Sequence, residues 1–393
     1  MTRVVPQPIA HPMMPVPAHD EHAREDFIVG LKLHMMEHAY PYDELVYERR
    51  AKPKFVKAEG RAPKDCDEVH DLMMGDDFTK MWSGIARNLQ EMLWANQGVI
   101  AASDMPRLAA EAKKQSAQPR GSLTLDPHFK MPAYVDAVDI HCMPGGYQTS
   151  LGDDDLFVGA VYERGSYYYS TGLSGRMREG PGRALVNAIK RFFPDLKPKR
   201  ILDIGCTTGG STIALAEAWP DAEVHAVDIG AAILRFAHAR SEALGHKVHF
   251  SQQNGERTNF PDADFDLVVS AGVFHETSSK AARNIVKEMY RLVRPGGVVF
   301  NQDIPYGGAY SLHDQFMLNW DCYYNAEPFW RQWTAIDGTE FLADAGFDRS
   351  RIVEIWASRD GNGVFTFYDK PFDETYTSAR GGIGRLQYFG ARK

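Results

Sequence analysis

An acid, a glycine-rich turn and a helix start follow one another in the run RILDIGCTTGGSTIA, residues 200–214. Asp203 interrupts a short apolar strand (Ile201, Leu202, Ile204), Gly205, Cys206, Thr207 and Gly209 make the turn, and a helix opens at Ser211 or Thr212. Backbone N–H groups point outward at such a turn, and the missing side chains let a ligand reach the main chain. This is the arrangement of a nucleotide-type site at the carboxyl end of a parallel strand. Two further strand ends add polar groups. Asp228 closes VHAVD, and Asn254, Gly255 and Glu256 follow the next strand. An acid some twenty residues beyond the turn is placed to accept hydrogen bonds from ribose hydroxyls.

The middle position of the turn discriminates between ligands. A pyrophosphate abuts the backbone there and needs glycine. Thr207 stands at that position, so a dinucleotide is disfavoured. A small β-branched residue at negative φ is compatible with the turn and narrows the pocket. Beyond the fourth strand, His275 in VFHET is the first candidate for a proton acceptor, with a structural loop histidine as the alternative. Asp303 and His313 are the next catalytic candidates, with Glu276 and Asp314 beside them. Residues 304–335 are dense in aromatic side chains, among them Tyr306, Trp320, Tyr323, Tyr324 and Trp330. An aromatic pocket with sparse polar anchors suits a planar or lipophilic small molecule. Tyr168, within the run Tyr167–Tyr169, is placed to close over it as a flap. Arg331 can meet a substrate carboxylate or pair with Glu327 one helical turn earlier.

These residues need a frame, and the second half of the chain supplies one. Strands are expected at 200–204, 223–228, 248–252, 265–270 and 298–303, helices at 211–219, 231–244, 279–293 and 339–345. Alternation of this kind implies a parallel, doubly wound α/β sheet with right-handed crossovers. A final strand pair is expected at 351–357 and 385–392, with a glycine-rich insertion at 358–384 between them. An amphipathic helix at 181–193 leads into the first strand, which sets a domain boundary near 172–180. The nucleotide-type domain then spans 176–393, with the aromatic insertion at 304–335.

Ahead of it, residues 27–175 read as a mainly helical cap or substrate domain. Phe78, Met81, Trp82, Ile85, Leu89, Met92 and Leu93 follow helical spacing over 76–100, and a second helix is expected at 105–115 after a Ser103 cap. The apolar stripe suits packing inside this domain or a homodimer face. Residues 134–140 read as a short strand, and Asp153–Asp155 as an acidic helix cap. His34 and His38 stand one helical turn apart, without a third metal ligand in the sequence nearby. The basic run 49–64 reads as a solvated connector, since aromatic residues for base stacking are not interleaved with its charges beyond the single Phe55. Residues 1–26, with Pro6, Pro8, Pro12, Pro15 and Pro17, read as a flexible tail.

Five segments in order (LDIGCTTGG, VDIG, QNGE, PDADFDLVVSAGVFHE and EMYRLVRPGGVVF) resemble the motifs of class I S-adenosylmethionine-dependent methyltransferases. Within these, the chain is most similar to small-molecule enzymes of the ubiquinone/menaquinone C-methyltransferase and natural-product type. The resemblance covers about 199–303 and the terminal strand pair, and it implies a Rossmann-like seven-stranded sheet of order 3-2-1-4-5-7-6. It implies S-adenosylmethionine as cofactor, with S-adenosylhomocysteine as product. Asp203, Gly205, Cys206, Thr207 and Gly209 would face the methionine part, Asp228 the ribose, and Ile229 the adenine. Asn254 would take the adenine amino group, flanked by Gly255 and Glu256, and Ala271 would begin the loop beneath the sulfonium. Thr207 departs from the glycine usual there.

The resulting expectation is methyl transfer to oxygen or carbon of an aromatic or conjugated small molecule. The alternatives are a nucleic-acid methyltransferase using 49–64 as an arm, and a non-catalytic binding protein on the same fold. The net charge of −8 over 393 residues argues against a broad nucleic-acid face. The absence of an 18-residue apolar run and of an apolar segment near the N-terminus predicts no membrane span and no secretory signal. Four scattered cysteines, Cys66, Cys142, Cys206 and Cys322, suit a reducing cytoplasm.

Overall fold

The computed structural model describes residues 4–359, 364–369 and 385–393. Nine strands form one sheet: β1 (Ser122–Thr124), β2 (Arg200–Ile204), β3 (Glu223–Asp228), β4 (His249–Gln252), β5 (Phe265–Ala271), β6 (Val293–Asp303), β7 (Ile352–Arg359), β8 (Phe365–Tyr368) and β9 (Arg385–Arg392). Their order is β1-β4-β3-β2-β5-β6-β9-β7-β8. The pairs among β1 to β6 are parallel, β9 is antiparallel to both β6 and β7, and β8 pairs antiparallel with β7. The seven strands β4-β3-β2-β5-β6-β9-β7 follow the expected order 3-2-1-4-5-7-6, and among the described residues β1 and β8 extend the two edges to nine strands.

The central strands are buried on both faces, which is why their sequences run almost continuously apolar. Ile201 and Leu202 on β2 and Leu267 and Val268 on β5 are fully buried. Leu185 and Ile189 from the helix Gly180–Phe192 cover one face, and Ile285 and Met289 from the helix Ser279–Leu292 cover the other. The strands β2 to β5 all run the same way, so their carboxyl ends share one edge of the sheet.

The strand expected at 134–140 is a series of turns. Its backbone bonds close locally, Val135 N to Pro132 O at 3.0 Å and Cys142 N to Asp139 O at 3.0 Å, and no ladder partner is met. The two helices expected at 76–100 and 105–115 are one helix, Asp77–Gln115. Ser103 does not cap: its hydroxyl donates back to Ile100 O at 3.0 Å. Pro106 removes only one ladder donor, and packing carries the helix past it. Trp82, Leu89 and Leu93 of the apolar stripe are buried, while Met81, Ile85, Met92 and Val99 remain exposed.

Residues 4–18 are irregular, with one turn closed by Met14 N and His11 O, yet they are not a loose tail. Met13 and Met14 are buried. Ile9 N donates to Arg176 O, Tyr167 Oη to Pro6 O, and Arg164 Nη2 to Gln7 Oε1. The segment lies as a strap along the helix Phe157–Tyr169, and a helix already begins at His19. Its prolines restrict the unfolded chain, which lowers the entropy cost of ordering such a segment. The basic run meets acids nearby: Arg50 pairs with Asp76, Lys52 with Glu48, and Arg61 and Lys64 with Glu68. Of the insertion expected at 358–384, residues 360–363 and 370–384 lie outside the described residues.

Candidate functional site

A cavity of about 260 Å³ opens at the carboxyl ends of β2, β3 and β5. Asp203, Gly205, Cys206, Thr207, Asp228, Ile229, Asn254, Gly255 and Ala271 line it, as the sequence leads one to expect. Two glycines are required by the space itself. A Cβ on Gly205 would stand 2.5 Å from Val273, and one on Gly255 would stand 2.7 Å from Ile204. Gly205 and Gly209 have φ of +76° and +82°, values that side chains oppose.

Thr207 is the first correction within the turn. Its φ is +45°, where a negative value was expected, so a β-branched residue sits in the left-handed region. The backbone N–H of Thr207 donates to Asp228 Oδ2 at 2.9 Å, which ties the strained turn to the acid of the next strand. Gly230 N donates to the other oxygen at 3.1 Å. Burial raises the Asp228 carboxyl above its usual range, and these backbone donors work against that shift. Asp203 behaves differently. Burial pushes it up to about 7, although Thr212 Oγ1 donates to it at 2.6 Å. That bond ties the end of β2 to the following helix, Gly210–Ala218.

Gly209 and Glu256 do not line the cavity. Gly210 and Ser211 face it instead of Gly209, and Glu256 turns outward to accept from Asn284 Nδ2 at 2.7 Å. Burial pushes the Cys206 thiol well above its ordinary range.

The catalytic candidates separate in space. His275 is buried but is not on the cavity wall; its neighbour Glu276 is. His275 Nδ1 lies 2.6 Å from Asp303 Oδ1, and its Nε2 lies 3.6 Å from Glu276 Oε1. Burial opposes the imidazolium, but Asp303 more than compensates, and the pKa of His275 rises to about 9. At neutral pH it holds a proton. Asp303 also accepts from Phe274 N and Ile304 N, so it fixes this turn rather than facing the cavity. His313 lies elsewhere, 3.3 Å from Asp43 and stacked on Tyr47 among the N-terminal helices.

Glu276 is the centre of a network that the sequence did not reveal. His141 Nε2 stands 3.0 Å from Glu276 Oε1, its Nδ1 stands 2.5 Å from Glu327 Oε1, and Tyr147 Oη donates to Glu276 at 3.1 Å. Burial disfavours the His141 imidazolium, but the flanking carboxylates outweigh it and raise its pKa well above normal. Burial likewise opposes ionisation of Glu276, whereas His141 and His275 hold it below its usual range. Among the described residues, His141, Glu276 and Glu327 are the one group of three or more side chains close enough to share a metal ion. His34 and His38, with ring centroids 4.6 Å apart, do not extend to such a group. His141 and Cys142 have φ of +61° and +59°, backbone strain of the kind that collects at functional sites.

The aromatic candidates divide. Trp320 and Tyr324 stack at 4.9 Å and line a second cavity of about 40 Å³ together with Lys32, Tyr40, Tyr169 and Asp321. Burial lowers Lys32 to about 8 and raises Asp321 to about 7. Trp330 is buried edge-on against His275. Tyr306 belongs to a shallow depression with Trp356 and Gln387, and Tyr323 is exposed and stacks on His70. Tyr168 is no flap: its hydroxyl donates to Gln7, and the residue is fully buried beneath the strap. Arg331 pairs with Asp67, because Glu327 is turned inward to His141.

Tyr134, Tyr147, Tyr162 and Arg178 also line the main cavity, and all come from before the first central strand. The paired glycines in HCMPGGY, residues 141–147, were the available signal. Gly145 and Gly146 both take positive φ and turn Tyr147 toward Glu276.

Residues 201–297 match the model of a methyltransferase domain family. The chain is 36% identical over 147 residues to a demethylmenaquinone methyltransferase of Thermus thermophilus, covering 34% of this chain and 66% of that protein. It is 30% identical over 110 residues to phosphoethanolamine N-methyltransferase 3 of Arabidopsis thaliana, covering 28% of this chain and 22% of that one. Among solved structures, the Haemonchus contortus phosphoethanolamine N-methyltransferase 2 aligns with a TM-score of 0.41 and 20% identity over 59% of each chain. The chain spans 66%, 43% and 44% of the length of three curated relatives. Residues 201–297 are a class I S-adenosylmethionine-dependent methyltransferase domain. The domain is similar to that of quinone methyltransferases. No helix among the described residues is long and apolar enough to cross a membrane.

Proposed function

We propose that this protein transfers a methyl group from S-adenosylmethionine to oxygen or carbon of an aromatic or conjugated lipophilic small molecule. The observation that carries this reading is the convergence of the glycine turn, Asp228 and Glu276 on one cavity. The residues fit the cofactor. Side chains at Gly205 or Gly255 would crowd Val273 or Ile204 of the cavity wall, Asp228 offers buried acceptor oxygens for ribose hydroxyls, and Ile229 and Asn254 of the same wall offer an apolar face and a polar edge for adenine. When bound, S-adenosylmethionine supplies an electrophilic methyl group on a sulfonium.

The chain's own work is then positioning and proton management. Glu276 reaches the cavity as a carboxylate, and His141, His275 and Tyr147 keep it ionised and oriented. It can accept a hydrogen bond or proton from the acceptor group. His275 already carries a proton at neutral pH, so it acts through Glu276. The faces of Tyr134, Tyr147 and Tyr162 on the cavity wall support an aromatic acceptor. A nitrogen acceptor is the second reading, favoured by the carboxylate of Glu276 amid the faces of Tyr134, Tyr147 and Tyr162.

Calorimetric titration with S-adenosylmethionine, S-adenosylhomocysteine and NADH tests the cofactor. Micromolar binding of both adenosyl ligands, lost in Asp228→Ala, is expected. Binding of NADH alone would overturn the reading. Phenols, quinols and amines then form the acceptor screen.

A further inference from the structure

We propose that Arg178 binds the α-carboxylate at the amino-acid end of S-adenosylmethionine, aimed by a buried Glu163 staple that the N-terminal strap helps to hold. This rests on the cofactor reading above.

Among the described residues lining the main cavity, Arg178 alone carries a permanent positive charge, and it shares that wall with Asp203, Asp228 and Glu276. An anionic ligand group has one cation to meet there. Arg178 also stands at the correct end. Its carbonyl oxygen lies 3.0 Å from where a Cβ on Gly210 would project, at the start of the helix Gly210–Ala218. That helix start adds outward N–H groups beside the guanidinium, and the two together suit a carboxylate.

The guanidinium is held but not satisfied. Nη1 donates to Thr208 Oγ1 at 2.5 Å and to Glu163 Oε2 at 3.4 Å, and the group lies over the Tyr162 ring at 4.3 Å. Its Nε is buried without a partner. A buried donor left unpaired is costly, so the guanidinium is not fully satisfied by the protein alone. The backbone bears strain at the same residue, with φ of +61°.

The staple joins four parts of the chain at one carboxylate. Glu163 is fully buried; it accepts from Thr208 Oγ1 at 2.7 Å and Arg240 Nε at 2.5 Å, and stands 3.2 Å from His11 Nε2. Thr208 belongs to the glycine turn and His11 to the strap. Docking of the strap and the aim of Arg178 are thus parts of one arrangement.

The test compares S-adenosylmethionine with its decarboxylated form, which keeps the sulfonium, adenosine and ammonium and lacks only the carboxylate. The wild type should prefer the intact cofactor by about 10–100-fold, the range for a hydrogen bond between charged groups. In Arg178→Gln that preference should fall to within about 3-fold, while affinity for the decarboxylated form stays unchanged. His11→Gln should lower the preference in the same direction by a smaller factor. Equal loss of both ligands in Arg178→Gln, or no loss of preference, would overturn the assignment. Should that variant fail to fold, Arg178→Lys keeps the charge without the planar fork and should show an intermediate preference; an unchanged one counts against the proposal. Wild-type protein that binds neither compound refutes the cofactor reading itself. Binding without discrimination refutes only the role of Arg178.

Discussion

Replacing Glu163 by glutamine should destabilise the fold through a single buried charge. Glu163 is fully buried and Arg240 is 1% exposed, so neither group can recover solvation in place. Arg240 already has one nitrogen, Nη1, buried without a partner among the described residues, and besides Glu163 it bonds among them only the Met177 carbonyl at 2.8 Å. Removing one member of a buried pair costs about 3–5 kcal/mol, chiefly because the other charge remains uncompensated. An amide keeps one acceptor but turns an NH2 toward Arg178 or Arg240, which places the change in the upper part of that range. Burial opposes ionisation of Glu163, yet Arg240, His11 and Arg178 hold its carboxyl well below the usual range. For a lowered pKa the contribution to stability is present above the unfolded value and fades as pH falls below it. The gap between wild type and Glu163→Gln should therefore be constant near neutrality and narrow progressively as pH falls below about 4.5. Urea denaturation at pH 7 measures the loss, and Arg240→Met supplies the second edge of a cycle. The double variant should lose less than the sum of the singles by at least about 1 kcal/mol. A single-variant loss under about 1 kcal/mol, or simple additivity, would refute the argument that the charges depend on each other.

Three further outcomes are expected. His275 is raised from 6.5 to about 9, so its contribution is complete below about pH 6.5 and is lost as pH rises through about 9. Wild-type stability should decline by roughly 2–4 kcal/mol across that window, and Asp303→Asn should flatten the decline; a histidine NMR titration locates the same proton. Glu276→Gln should lower kcat about 10²–10⁴-fold while S-adenosylmethionine affinity, read calorimetrically, changes only a few-fold. Equal losses in both would mean that Glu276 serves the cofactor rather than the acceptor. Thr207→Gly relieves a left-handed threonine worth about 1–2 kcal/mol and adds about 0.5–1 kcal/mol of unfolded-state entropy. Urea melts should show it as stable as the wild type or up to about 1 kcal/mol more so, and a clear loss would show that the Thr207 side chain stabilises the turn.

Some features were readable because they arise over a few consecutive residues. Continuous apolar runs such as Ile201–Leu202 and Leu267–Val268 specify strands buried on both faces. Gly205 and Gly209 mark positive φ, and Asp228 sits one strand beyond them. These local patterns located the glycine turn, most of the cavity wall and the parallel sheet.

Tertiary structure decided which side chains meet. His275 and Glu276 are adjacent in sequence, yet only Glu276 reaches the cavity, because Asp303 draws the His275 ring inward. Glu276 is matched with His141 and Tyr147, each more than a hundred residues away, and Glu163 with His11 and Arg240. Arg178 gains its place from the same distant contacts. A buried charge takes whatever opposite charge packing brings to it, and no local periodicity records that choice. The sequence by itself therefore determined the sheet and the turn. The electrostatics around them, and the strap of residues 4–18 that helps hold those charges in place, were settled only by the folded chain.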